Sequence, residues 1–166
     1  LHLVGAPLPE VFRDALMRPL GAGDDWSWRG YDDAWVDLRG RRVQSVPGGT
    51  HWGGGVSIGA RDQARLGQLL LDGGRHGGVQ IVPEAWVRFM FKPCAIAPFY
   101  GGLLWLNRDE RSFAGASTGS ACMVGAGGHL TWVEPAHDAV VVLRWMDPAA
   151  TAGFTQRMAA GLQAMA

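Results

Sequence analysis

The chain is poor in lysine, in cysteine and in net charge, and each shortage closes off a class of function. Lys92 is the only lysine among fifteen cationic side chains, and these balance fifteen acidic ones. A neutral chain without a basic stripe gives no electrostatic case for nucleic acid or for an anionic membrane surface. No apolar run approaches the roughly 20 residues that span a bilayer. Two cysteines, Cys94 and Cys122, supply neither a disulfide framework nor a metal-ligand spacing, and they read as buried thiols. The histidines at 2, 51, 76, 129 and 137 also lack metal-ligand spacing, so no metal is expected. There is no Walker loop. "GAGGHL" has the glycines of a nucleotide loop but precedes a strand pattern instead of opening a helix, so no nucleotide cofactor is expected either. A G-x-S-x-G elbow is missing too. The N-terminal "LHLVGAPLPE" has no Met and no charged leader; it reads as processed or cut from something longer, and it leaves the compartment open.

What is present is apolar residues, at 48 %, and glycine, at 25 of 166 positions. That composition suits one globular domain with a sizeable core. "LPEVFRDALMRPLG" predicts a helix with an apolar stripe of Val11, Phe12, Ala15 and Leu16, ended by Pro19 and Gly21. Residues 24 to 55 predict a long loop with four tryptophans and one short hairpin near "AWVDLRGRRVQSV". The tryptophans either pin that loop to the domain or form a platform for a sugar or peptide. "SIGARDQARLGQLLLDGG" predicts a helix closed by Gly73, with Arg61, Arg65 and Arg75 on a solvated face. "VPEAWVRFMF" predicts a short helix, and "FYGGLLWLN" a strand entered through Gly101 and Gly102. "HLTWVE" and "AVVVLRWM" predict a hairpin joined by residues 135 to 138, its second strand apolar on both faces and therefore covered on both. "ATAGFTQRMAAGLQAMA" predicts a final helix striped by Phe154, Met158, Leu162 and Met165. The order of these elements indicates an α+β domain with an antiparallel sheet flanked by helices.

Three stretches taken together, "GGTHWGGGVSIGARDQARLGQLLLDGG", "YGGLLWLN" and "GAGGHLTWVEPAHDAVVVLRW", with the closing helix, carry a resemblance. The chain resembles the C-terminal portion of the serine β-lactamase and penicillin-binding-protein-like hydrolase superfamily, in the branch of class C β-lactamases, D-aminopeptidases and esterases. The resemblance implies that residues 1–166 are the C-terminal part of a single domain, incomplete on its N-terminal side. It also implies an acyl-enzyme reaction on a small-molecule ester or amide. Such chemistry uses Ser and Lys one helical turn apart, a Tyr motif, and a K-[ST]-G-like strand. Here Phe89 stands three residues before the only lysine, and neither Tyr31 nor Tyr100 begins a Y-x-N motif. The resemblance therefore places those groups on the missing N-terminal half of the domain.

The third motif survives as Met123-Val124-Gly125. By resemblance, Ala126 supplies the backbone N–H of an oxyanion hole, and Gly125 lets substrate approach the strand. Met123, Val124, Gly127 and His129 then contact substrate. Met and Val bring neither cation nor hydroxyl, which suits a neutral substrate better than a carboxylate. His51 and Trp52 either line the pocket or pack into a glycine-dense turn, and Tyr100 either reaches the pocket or sits in the core. The strand "AVVVLRWM", without its N-terminal neighbours, would leave an apolar edge open to self-association. Two other classes remain: a non-catalytic binding or scaffold protein that keeps the fold without the chemistry, and a tryptophan-lined carbohydrate-binding domain.

Overall fold

A computed structural model describes residues 3–46, 55–108 and 113–165. The chain divides into two compact units, residues 1–62 and 63–166.

In the first unit, helix α1 (Leu8–Phe12) starts with Pro9 in its opening turn and runs straight into a π-helical turn over Arg13–Met17. The Arg18 N–H donates to Arg13 O at 2.9 Å, the i→i+5 bond of such a turn. The inserted residue moves the buried face. Ala15 of the expected stripe is exposed, whereas Met17 and Leu20 are buried. Four short strands follow: β1 (Ser27–Trp28), β2 (Trp35–Leu38), β3 (Arg41–Gln44) and β4 (Val56–Ser57). β2 and β3 form the expected hairpin, and β1 pairs antiparallel with β4. Phe12 meets Trp26 and Trp28 edge-on, at 5.1 and 5.6 Å between ring centroids. Two of the four tryptophans thus pack on α1 as anchors for irregular backbone, while Trp35 is exposed and Trp52 lies outside the described residues.

The second unit holds the sheet. Helix α2 (Ala60–Leu71), whose first turn lies across the unit boundary, ends in a Schellman motif: Gly74 N–H donates to Leu69 O, Gly73 N–H to Leu70 O, and Gly73 is left-handed at φ +62°. A tight hairpin of β5 (Arg75–His76) and β6 (Val79–Gln80) turns on Gly77-Gly78, both at positive φ. This Gly-Gly hairpin signal is one that the sequence reading passes over. Helix α3 is Glu84–Met90. Next come β7 (Trp105–Leu106), β8 (Ala121–Gly125), β9 (His129–Glu134), a 3-10 turn over Pro135–His137, β10 (Ala139–Leu143) and helix α4 (Pro148–Met165). The strands pair antiparallel in the order β10-β9-β8-β7.

Two expectations need correction here. "FYGGLLWLN" contributes only Trp105 and Leu106 to the sheet, because Gly101–Leu104 turns and Leu103 is left-handed at φ +64°. "AVVVLRWM" leaves the sheet after Leu143.

Strand alternation sorts the side chains onto two faces. Cys122, Leu130, Trp132 and Leu143 pack with Phe113, Ala116 and the α4 residues Phe154, Met158, Ala159 and Leu162. The expected stripe of α4 thus holds as far as Leu162, while Met165 is exposed. On the other face Ala121, Val133 and Leu106 pack with Leu70 of α2 and Val87 of α3. Gly67 lets α2 approach the sheet: a Cβ there would lie 2.6 Å from Val140 Cγ1. Both faces of the sheet are covered, as the apolar β10 sequence predicts.

Buried polar groups tie the loops to this sandwich. Asn107, fully buried, donates from Nδ2 to the Ala116 carbonyl and accepts the Phe113 N–H, so it fixes the loop that leads into β8. Glu134, at the end of β9, accepts the Ser117 N–H and hydroxyl, the Ser120 hydroxyl at 2.6 Å and the Ala136 N–H. Trp132 Nε1 donates to Ser120 Oγ at 3.1 Å. Of the two cysteines, Cys122 is buried as expected and Cys94 is exposed, contrary to expectation. Burial, with the nearby Glu134 charge, pushes the Cys122 thiol far above its ordinary range.

Burial alone would raise the Glu134 carboxyl, but the Ser117 and Ser120 hydroxyls and the Ser117 and Ala136 N–H groups outweigh it and hold the carboxyl below its ordinary value. A depressed carboxyl stabilises the fold above the unfolded-state range and loses that contribution as pH falls through the folded value. Urea titrations should therefore show midpoints dropping below about pH 4.5, the ordinary glutamate value. Glu134→Gln should flatten this acid dependence and cost about 1–3 kcal/mol at neutral pH, because it leaves buried donors unsatisfied.

Candidate active site

The turn Ala126-Gly127-Gly128 joins β8 to β9, closed by the pair Gly125 and His129. Gly127 and Gly128 are left-handed, at φ +81° and +71°. The segment after β10 passes hard against this turn. Gly128 O accepts the Met146 N–H at 3.1 Å, and a Cβ on Gly128 would lie 1.8 Å from Met146 O. Glycine at 128 is thus required twice, by conformation and by space.

Residues 124 to 127 are exposed. β7 pairs only with Ala121 and Cys122, so the β8 edge from Met123 onward has no strand beside it on that side among the described residues. The Ala126 N–H donates to no other described residue. An open backbone donor beside an accessible strand edge is the arrangement that can stabilise an oxyanion.

Beneath the turn lies a cavity of about 260 Å³, lined by residues 124 to 130 together with Phe113, Leu143, Met146, Pro148 and Thr151. Among the described residues His129 is the only titratable one lining it, and no described Lys, Arg, Asp or Glu does so. The His129 ring stands edge-on to Trp145, centroids 4.5 Å apart.

The structure brings Val124, Gly125, Ala126, Gly127 and His129 of the expected site together around this cavity. Met123 alternates to the opposite face, against the cluster of Ala121 and Val133. Tyr100 bridges to Trp105 and packs its ring edge-on against that indole at 5.4 Å, away from the residues lining the cavity. His51 and Trp52 lie outside the described residues. The sequence reading misses Met146, Pro148, Thr151 and the neighbouring Trp145. It extends the last strand through Met146, and nothing in a tryptophan's identity announces the left-handed backbone (φ +58°) that turns the chain after β10.

No protein-family model matches the chain. A 6-aminohexanoate-dimer hydrolase of Paenarthrobacter ureafaciens is 31 % identical over 110 residues, which are 57 % of this chain and 26 % of that protein. Among solved structures, EstCE1, a hydrolase with promiscuous acyltransferase activity, superimposes with a TM-score of 0.61 at 18 % identity, over 96 % of this chain and 51 % of its own. A Bacillus anthracis protein provisionally named a 6-aminohexanoate-dimer hydrolase gives 0.52 at 24 % identity, over 68 % of this chain and 31 % of its own. The chain thus spans about half of EstCE1 and about a quarter of the curated relative. The fold is that of the β-lactamase-like hydrolases, in part. The relatives that the chain matches are named as hydrolases.

Substitutions at two glycines separate the special site from ordinary helix. Gly128→Ala should destabilise the protein by more than 1 kcal/mol, since both φ and Met146 O oppose a side chain. Gly153→Ala, in α4 with open space around it, should stabilise by about 0.5–1 kcal/mol. Chemical denaturation of the two variants checks both signs.

Proposed function

We propose that this chain is the C-terminal part of a β-lactamase-like serine hydrolase domain acting on a neutral ester or amide through an acyl-enzyme. In this reading the nucleophilic serine, its lysine and the tyrosine come from the N-terminal part of the same domain. The serine Oγ attacks the substrate carbonyl carbon, its proton passes to the Lys/Tyr pair, and the developing oxyanion takes a hydrogen bond from the Ala126 N–H. Collapse expels the alcohol or amine, and water then releases the acid. Gly125 and Gly127 keep side chains away from the approaching substrate. One observation supports the reading: an Ala126 N–H with no acceptor, on a glycine turn beside a β8 edge with no strand, among the described residues. The relatives' names, for hydrolysis of a 6-aminohexanoate dimer and for acyl transfer, support the same reaction class.

The absence of S-x-x-K from these residues makes the proposal testable in two halves. A fluorophosphonate probe should label the protein encoded by the full reading frame and leave this chain alone unlabelled. Labelling of this chain would overturn the assignment of the nucleophile, and an unlabelled full-length protein would favour the non-catalytic scaffold. Within an active protein, Ala126→Pro removes the N–H and should lower kcat about 10²–10³-fold, whereas Ala126→Ser keeps the donor and the rate.

The outer edge of β10 carries no strand among the described residues. On this reading it pairs with strands from the N-terminal part of the domain. Expressed alone, the chain is expected to self-associate through that apolar edge. Light scattering that shows a monodisperse monomer would contradict this.

A further inference from the structure

Trp145 combines two unfavourable features. It is a non-glycine residue at φ +58°, and its side chain is 77 % exposed. Neither burial nor turn chemistry accounts for an indole held this way, and residues kept in strained backbone cluster at ligand clamps. What holds it is local. The next residue, Met146, is fastened to Gly128 O, and the indole leans edge-on against His129. The ring also covers Gly127, where a Cβ would come within 3.3 Å of Trp145 Cζ3. The indole therefore stands beside the glycine turn, at residues that line the cavity, with a large apolar surface still uncovered.

The cavity's chemistry is one-sided. Val124, Phe113, Leu143, Met146 and Pro148 give it apolar walls. The Thr151 hydroxyl is turned to its own helix, donating to Asp147 O at 3.4 Å. A carboxylate or ammonium entering here would lose its water and meet no permanently charged side chain among the described lining residues, which disfavours both. At about 260 Å³ the space is smaller than the 300–1,000 Å³ of drug-sized sites, so it suits a short chain.

We infer that this cavity is the subsite for a short, uncharged aliphatic arm of the substrate, and that Trp145 is the residue that closes over the arm and excludes charged ones. The inference rests on the hydrolase reading for the word substrate, but the subsite itself is a binding property. The arm stacks on the indole and the Gly127 backbone, which places the adjoining carbonyl beside the Ala126 N–H. Trp145 is thus a positioning residue, and its loss should act on substrate selection more than on the chemical step.

The test uses the protein encoded by the full reading frame, with 15N-labelled tryptophan and the Trp145 indole resonance assigned from Trp145→Phe. Butanamide should shift that resonance saturably, and butyrate and butylammonium should bind at least tenfold more weakly. Trp145→Ala should weaken butanamide at least tenfold, as read by competition against a neutral ester substrate, and Trp145→Phe should restore most of the binding. Thr151→Asp, in the first turn of α4 where an acidic residue is well tolerated, should reverse the preference towards butylammonium. Equal binding of butyrate and butanamide, or a Thr151→Asp protein with unchanged preference, would overturn the inference. Saturable butanamide binding without fluorophosphonate labelling would keep the subsite and remove the hydrolase reading. Labelling without any Trp145 response would do the reverse.

Discussion

The contact between Gly128 and Met146 organises everything around the candidate site. A hairpin turn and the chain leaving the last strand touch backbone to backbone, with a hydrogen bond and no room for a side chain. From that contact follow the direction of the 126–128 turn, the roof of the cavity and the left-handed bend that presents Trp145. Ordinary side-chain packing could not hold two irregular segments so closely, because any Cβ would force them apart. Glycine here removes bulk where the fold needs two main chains in register.

Below this contact the sheet supplies rigidity. Its central strand, β9, is buried on both faces, with Leu130 and Trp132 towards α4 and Val133 towards α2 and α3. Thr131, on the second face, accepts from Gln63 of α2 at 2.8 Å, so a polar position in this strand also ties a helix down. Glu134 then fastens the end of β9 to the 117–120 loop through charge-assisted hydrogen bonds. The open edge of β8 is backed by a strand that cannot shift without breaking two cores.

Much of this was legible in the sequence, and the failures have physical causes. The hairpin of β9 and β10 and the helices α2, α3 and α4 follow from periodicity, caps and turn residues, whereas the glycines at 125–128, read as an approach to β9, prove to be a turn between β8 and β9. The π-helical turn at Arg13–Met17 was not legible, because its i→i+5 bonds have no residue signature. Nor was the brevity of β7, where Leu103 adopts a conformation its side chain disfavours. The site was half readable. Residues 124 to 127 and His129 came from one contiguous motif, whereas Met146, Pro148 and Thr151 reach the cavity only through the bend at Trp145. Met123 shows the limit of motif reasoning, since strand alternation turns every second residue of a motif away from the same space.

The two thiols differ in a way that makes the chain chemically convenient. Cys122 lies under Trp132 on the α4 side of the sheet, with its ionisation suppressed, while Cys94 sits in an exposed turn. Only the thiolate reacts with alkylating reagents. The folded chain therefore behaves as a protein with one handle, and a dye or spin label added under native conditions marks the segment between α3 and β7 without touching the core.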